Sequence, residues 1–254
     1  MPSPDSIPPG WFFLAAALQL LSLLALVRLH QLAGPNWLRW DQVPCPPWQL
    51  SDICGLGFLT AATVFLFYPL TPAVSVLGAV WLAQCRGFEI TPIWRLEKTH
   101  IKIFESLFLY LACLLPISLL TAGSILLSNF FGVEDSMQGP VRDILESPDL
   151  GRVLFNLAAA VLIAPWWEEI VFRGVLYPFC KARMGRWPAL VFTGVLFGSI
   201  HGHLPSLLPL ILLGIILGLA YERSGSLWSP ILLHTFFNLG TSINLLLLRL
   251  YDHS

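Results

Sequence analysis

Charged residues are scarce in this chain, although a water-soluble surface is built largely from them. Only 11% of the 254 residues are charged, whereas 56% are hydrophobic. An average soluble domain has about 25% charged residues. So few charges cannot cover a folded chain with groups that bind water, and we therefore expect lipid to surround most of it.

Basic runs, acidic tails and paired cysteines are also lacking. The formal net charge is −1 and no stretch is strongly basic, which argues against nucleic acid as a partner. The five cysteines are scattered without any CxxC spacing, so we expect neither a disulfide framework nor a thiolate metal site. The first ten residues lack the lysine or arginine of a secretory signal, and we expect the first apolar segment to be retained.

Long apolar segments are what the sequence has in abundance. A membrane-crossing helix needs about 20 apolar residues, and no strand-like alternation competes with that interpretation. The apolar segments cover residues 11–29, 53–83, 103–128, 153–179, 188–204, 206–221 and 227–248. The second segment contains Pro69 and Pro72, so it is either one kinked helix or a tight hairpin of two short ones. We predict an all-α, polytopic membrane bundle of seven or eight transmembrane helices.

Charges in the loops suggest an orientation. The stretch 86–102 contains Arg95 and Lys98, which places it on the cytoplasmic side of the membrane by the positive-inside rule. The acidic stretch 134–149, which begins with Glu134 and Asp135, would then lie outside.

Ionisable and amide side chains interrupt three of the apolar segments. On insertion scales an ionisable residue at the bilayer centre costs roughly 2.5–3.5 kcal/mol. Packing alone does not explain three such interruptions, and we expect them to face one another around a hydrated cavity. The interrupting residues are Glu168, Glu169 and Arg173; His201, with His203 close by; and His234 with Asn238.

Spacing within these groups predicts local pairs. Glu169 and Arg173 are four residues apart, so they share a helix face and can form an ion pair. Glu168 is turned by about 100° from Glu169, which makes it the carboxylate left over. His234 and Asn238 are also four apart and present an imidazole and an amide together.

Two GxxxG patterns occur, at Gly194–Gly198 and Gly214–Gly218. Glycines four apart leave a flat groove that another backbone can approach closely. They either pack helices together or open room for a substrate strand.

Three motifs carry a resemblance to a known family. EEIVFR at Glu168–Arg173, FGSIH at Phe197–His201 and HTFFN at His234–Asn238 resemble the EExxxR, FxxxH and HxxxN motifs of the CPBP intramembrane proteases. That family includes type II CAAX prenyl endopeptidases and proteins of bacteriocin processing and immunity. The resemblance implies a catalytic helical core at 101–254, with the motifs within 153–248, and accessory transmembrane helices at 1–100.

The resemblance also implies an endopeptidase mechanism acting on a membrane-embedded or lipidated protein or peptide. Glu168 and His201 would activate the water, and His234 and Asn238 would donate hydrogen bonds to the oxyanion. Losing one such donor typically lowers the rate by about 10²–10³. The ion pair of the first motif would support its helix rather than take part in the chemistry.

A metal is an open alternative. Glu168, His201 and His234 could hold zinc and leave one position for water, but no HExxH motif is present. We favour a mechanism without a metal or other cofactor.

The sequence also suggests a location, partners and a competing function. The expected partners are membrane lipid and a membrane-associated peptide or protein substrate, in a bacterial-type plasma membrane. A transporter, immunity or scaffold protein could use the same buried polar cluster without proteolysis. A transporter is expected to show repeated halves, and the sequence has no such symmetry.

Overall fold

The computed structural model describes residues 9–32, 43, 45, 48–67, 71–87, 99–132 and 137–252, and these contain helices and no strand. The all-α prediction is confirmed. The helices are α1 Pro9–Leu32, α2 Leu50–Phe67, α3 Thr71–Cys85, α4 Thr99–Phe130, α5 Gly139–Glu146, α6 Leu150–Met184, α7 Arg186–Ser199, α8 Leu204–Ser224 and α9 Trp228–Asp252. Most of the loop charges used for orientation, namely Arg95, Lys98, Glu134 and Asp135, lie outside the described residues.

Among the residues that the structure describes fully, four helices are long and apolar enough to cross a membrane: α4, α6, α8 and α9. Helices α2 and α3 are apolar but shorter. Helix α7 has 14 residues, which gives about 21 Å, whereas the hydrocarbon core is about 30 Å thick. The described part of the chain thus belongs to an integral membrane protein with four candidate spans, and the count of seven or eight stays a prediction.

Helices α2 and α3 pack against each other as a hairpin. The hydroxyls of Thr60 and Ser75 are 3.1 Å apart. A Cβ atom added at Gly78 would lie 3.0 Å from the side chain of Leu56. These contacts run in opposite directions along the two helices, so the single kinked helix was wrong. Pro72 lies in the first turn of α3, where a proline is tolerated, while Pro69 lies outside the described residues.

Helix α1 is held at a proline in α4. Pro116 has no N–H, so the carbonyl of Ala112, four residues earlier, lacks its helical donor. The Ser22 hydroxyl donates to that carbonyl at 3.2 Å and accepts from the Leu115 N–H at 2.8 Å. Ser22 is fully buried. A single serine therefore completes the backbone hydrogen bonding of its neighbour.

The two GxxxG patterns pack α7 against α8. A Cβ at Gly214 would lie 2.9 Å from the Cα of Gly194. One at Gly198 would lie 3.0 Å from the backbone nitrogen of Ile211. The grooves are filled by the partner helix, so the packing interpretation is confirmed and room for a substrate strand there is wrong.

Helix α7 ends earlier than the predicted span at 188–204. It stops at Ser199, and His201 lies in the turn that follows. Gly202 has a φ of 60°, a left-handed conformation that glycine adopts readily, and Pro205 lies in the first turn of α8. His201 is therefore presented by a tight connection between two closely packed helices.

Candidate active site

Helix α6 carries the first motif and contains two π-helical turns, at Ala159–Ile163 and Ile170–Leu176. In the first, the Ala164 N–H donates to the carbonyl of Ala159, five residues earlier. The next donor in that series would be residue 165, but Pro165 has no N–H. The Ala160 carbonyl instead accepts from Asn238 Nδ2 at 2.7 Å. Asn238 thereby fastens α9 to α6 at the proline gap.

The predicted ion pair of the first motif is present and buried. Arg173 Nη1 donates to Glu169 Oε1 at 2.9 Å, and the two side chains are 1% and 0% exposed. The same Glu169 oxygen accepts from His234 Nδ1 at 2.9 Å. The carboxylate thus joins two motifs, a contact that spacing along the chain did not predict.

Arg173 reaches two further helices. Its Nη2 donates to the Gly214 carbonyl on α8 at 2.8 Å. Its guanidinium carbon lies 4.9 Å from the centre of the Phe197 ring on α7. Because the donors of a guanidinium lie in one plane, these contacts fix the relative position of the helices.

Glu168 is a buried carboxylate with an unsatisfied oxygen, and so is Glu169, whose Oε2 also lacks a hydrogen-bond partner among the described residues. Glu168 is 9% exposed, and its Oε2 has no such partner. This oxygen lies 4.0 Å from His234 Nε2. Burying a polar atom without a partner is unfavourable, and such an atom calls for an explanation, of which a catalytic role is one.

His201 completes the cluster from the turn after α7. Its Nδ1 lies 2.8 Å from the Phe197 carbonyl. A carbonyl can only accept, so Nδ1 carries a proton, and in the neutral form of the ring the lone pair is on Nε2. The Phe197 ring lies 5.2 Å from the ring of His201 and 5.6 Å from that of His234.

The structure therefore brings together five of the six predicted site residues. They are Glu168, Glu169, Arg173, His201 and His234. The sixth, Asn238, lies one turn beyond His234 and donates a hydrogen bond to the Ala160 carbonyl of α6. His203 pairs through Nδ1 with the hydroxyl of Ser206 at 2.7 Å. Within the described ranges, no group of three His, Cys, Asp or Glu side chains is arranged to hold a metal ion. The choice between a metal-free and a zinc mechanism stays a prediction.

A second buried ionisable cluster was missed by sequence reasoning. Glu222 is fully buried near the end of α8. It accepts from the Tyr177 hydroxyl at 2.6 Å, and Lys181 Nζ lies 2.6 Å from the same oxygen. Lys181 also donates to the Val43 carbonyl at 3.2 Å. The sequence signal for this cluster was Glu222, a glutamate at the end of an apolar segment. Charged residues at the ends of such segments are usually solvated, so this position did not indicate burial.

Residues 150–240 match the family model of the type II CAAX prenyl endopeptidases described as Rce1-like. The matched segment begins with α6 and includes all three motifs. This match confirms the resemblance to the CPBP family, and the Rce1-like family is one of proteases. Neither the curated proteins nor the solved structures give a match.

Proposed function

We propose that the protein is an intramembrane endopeptidase that hydrolyses a peptide bond in a membrane-embedded or lipidated protein or peptide. The observation that carries the proposal is the buried Glu168 Oε2, which has no hydrogen-bond partner among the described residues and lies 4.0 Å from His234 Nε2. The Rce1-like match favours proteolysis over a transporter or a scaffold.

Glu168 and His201 act as the bases that activate water. A water held between Glu168 Oε2 and the lone pair of His201 Nε2 transfers a proton to one of them as its oxygen attacks the substrate carbonyl carbon. The same proton is then given to the leaving amine as the C–N bond breaks. General acid–base catalysis of this kind typically contributes about 10²–10⁴ in rate.

His234 and Asn238 stabilise the oxyanion in this proposal. His234 donates from Nδ1 to Glu169. Its Nε2, when protonated, is then the atom that donates a hydrogen bond to the substrate oxyanion. Asn238 uses one amide N–H on Ala160, and a primary amide has a second N–H. Glu169 also orients the imidazole, much as a buried carboxylate orients the histidine of a catalytic triad.

Arg173 positions helices in this proposal and does not take part in the chemistry. The proposed mechanism uses no metal. The bonds of Arg173 to Glu169 and the Gly214 carbonyl hold α6 and α8 in register. This rigidity matters because a misplacement of about 1 Å can reduce the rate 10²-fold. The proposed location is a bacterial-type plasma membrane.

The test is cleavage of a lipidated peptide by the purified protein in lipid nanodiscs. We expect Glu168→Gln and His201→Ala each to lower kcat by about 10²–10⁴, with circular dichroism and the unfolding temperature unchanged. Glu146→Gln, at an exposed glutamate on α5, is the matched control. Full activity in both site variants would show that the assigned pair is wrong, and loss of activity on chelation would contradict the metal-free mechanism.

A further inference from the structure

A column of four buried polar side chains runs along one side of α6, from the candidate active site toward the end of the helix. Its members stand at intervals of four residues and are Glu169, Arg173, Tyr177 and Lys181. The first three are at most 1% exposed, and the side chain of Lys181 is 9% exposed. Because buried polar groups need hydrogen-bond partners, this column must be matched by groups on the neighbouring helices.

The π-helical turn at Ile170–Leu176 keeps this column straight. In a regular α-helix, residues four apart are rotated by about 40°, so three such steps would turn the last side chain about 120° away from the first. A π-helical turn bonds each N–H to the carbonyl five residues earlier and is therefore wider, with more residues per turn. It offsets the rotation where it lies, between Glu169 and Tyr177. Lys181 consequently faces the same neighbouring helix as Arg173.

The members of the column beyond Glu169 have their partners on α8. Arg173 Nη2 donates to the Gly214 carbonyl at 2.8 Å. Farther along both helices, the Tyr177 hydroxyl donates to Glu222 Oε1 at 2.6 Å, and Lys181 Nζ lies 2.6 Å from the same oxygen. Arg173 and Lys181 are eight residues apart, and so are their partners on α8. The two helices therefore run in the same direction in one defined register.

A single contact does not fix the orientation of one helix on another. With the Arg173 contact alone, α6 can pivot on α8, because a guanidinium stands at the end of a long side chain with several rotatable bonds. The second contact lies about 12 Å farther along the axis and removes that freedom. Tyr177 suits this role, because its side chain has only two rotatable bonds and its bond to a carboxylate is of the short, strong kind.

We propose that Tyr177 and Glu222 are positioning residues for the proposed peptide hydrolysis, on which this inference rests. Their bond holds α6 in the register that brings Glu169 to His234 Nδ1 and Glu168 within 4.0 Å of His234 Nε2. Without the bond, α6 pivots and the carboxylate of Glu168 is displaced. Both residues act through the position of α6 and not on the substrate.

The first test compares two neighbouring buried tyrosines in the peptide-cleavage assay, with the unfolding temperature measured alongside. Tyr177→Phe removes the hydroxyl that joins α6 to α8 and should lower kcat about 10–10²-fold at unchanged KM, since a misplacement of about 1 Å can reduce the rate 10²-fold. Tyr221→Phe is the matched control, because the Tyr221 hydroxyl is also buried but has no hydrogen-bond partner among the described residues. Its kcat should be unchanged. Equal values of kcat in the two variants would overturn the proposal.

Two double variants then separate the hydrogen bond from the charge. Glu222→Gln with Lys181→Met removes both charges but keeps a side-chain oxygen that can accept from Tyr177. Glu222→Leu with Lys181→Met removes the acceptor as well. We expect kcat to be about tenfold higher with glutamine than with leucine, and adding Tyr177→Phe to the leucine variant should lower it no further. Equal kcat with glutamine and leucine would contradict the positioning role, as would a further full loss on adding Tyr177→Phe.

A readout that needs no cleavage distinguishes the positioning role from the proposed protease activity. In histidine-labelled protein, the Nδ1 proton of His234 reports the bond to Glu169 by nuclear magnetic resonance, and its signal is assigned by its absence in His234→Gln. We expect Tyr177→Phe to shift this signal and Tyr221→Phe to leave it in place. A shift without any cleavage by the unsubstituted protein would support the positioning role and refute the protease. An unmoved signal in Tyr177→Phe would overturn the positioning role alone.

Discussion

The bond from Asn238 to the Ala160 carbonyl predicts a specific coupling with Pro165. The donor atom is 2.7 Å from the carbonyl oxygen, and the bond is partly buried. Removing it by Asn238→Ala leaves a backbone acceptor without a partner, which costs about 1–3 kcal/mol. A chain of this size loses about 2–4 °C in Tm for each kcal/mol.

Replacing the proline should relieve that loss. Pro165→Ala restores an N–H at residue 165, one position after the Ala164 N–H that already bonds Ala159. In the double variant, this N–H can donate to the Ala160 carbonyl in place of the missing amide. We expect a coupling of about 1 kcal/mol between the two substitutions, within the range found for residues that share a partner.

The assay combines thermal unfolding in detergent with peptide cleavage for the two single variants and the double variant. If Asn238 also stabilises the oxyanion, the double variant regains stability while its activity stays about 10²–10³ lower. Additive changes in stability would refute the claim that Asn238 compensates for the proline. Full recovery of activity in the double variant would show that Asn238 only holds α9 against α6 and does not stabilise the oxyanion.

Three further substitutions test the packing that surrounds the site. Ser22→Ala should lower stability by about 1–3 kcal/mol, because the carbonyl at the proline gap of α4 loses its donor; an unchanged unfolding temperature would contradict this role. Gly194→Ala should lower the free energy of unfolding by about 1–3 kcal/mol, because its Cβ would lie 3.1 Å from a carbonyl oxygen of α8. Gly57→Ala is the control and should not destabilise the protein, because an added Cβ there has no atom within 4 Å. Glu222→Gln should lower the free energy of unfolding by about 3–5 kcal/mol, because it breaks the buried ion pair with Lys181, and adding Lys181→Met should recover most of that loss in the same measurement.

Local patterns explain most of what could be predicted. The Glu169–Arg173 pair follows from a spacing of four residues, because one turn of helix fixes which side chains are neighbours. The end of α7 was misplaced because Ile200 continues the apolar run, although Gly202 and Pro205 both mark the turn. The π-helical turns of α6 have no hydropathy signal, since they change the backbone hydrogen bonding and not the composition.

The sequence alone determined that this is a helical membrane protein and which polar residues its apolar helices carry. Only the tertiary structure decided which of them meet: Glu169 with His234, Arg173 with the Gly214 carbonyl, Asn238 with the Ala160 carbonyl, and Glu222 with Lys181. The physical reason is that helices that are apolar on every side have no face marked for the interior, because lipid and protein interior are alike to them. Their rotation and depth are set by close glycine contacts and by hydrogen bonds at prolines, which form only once the helices have packed.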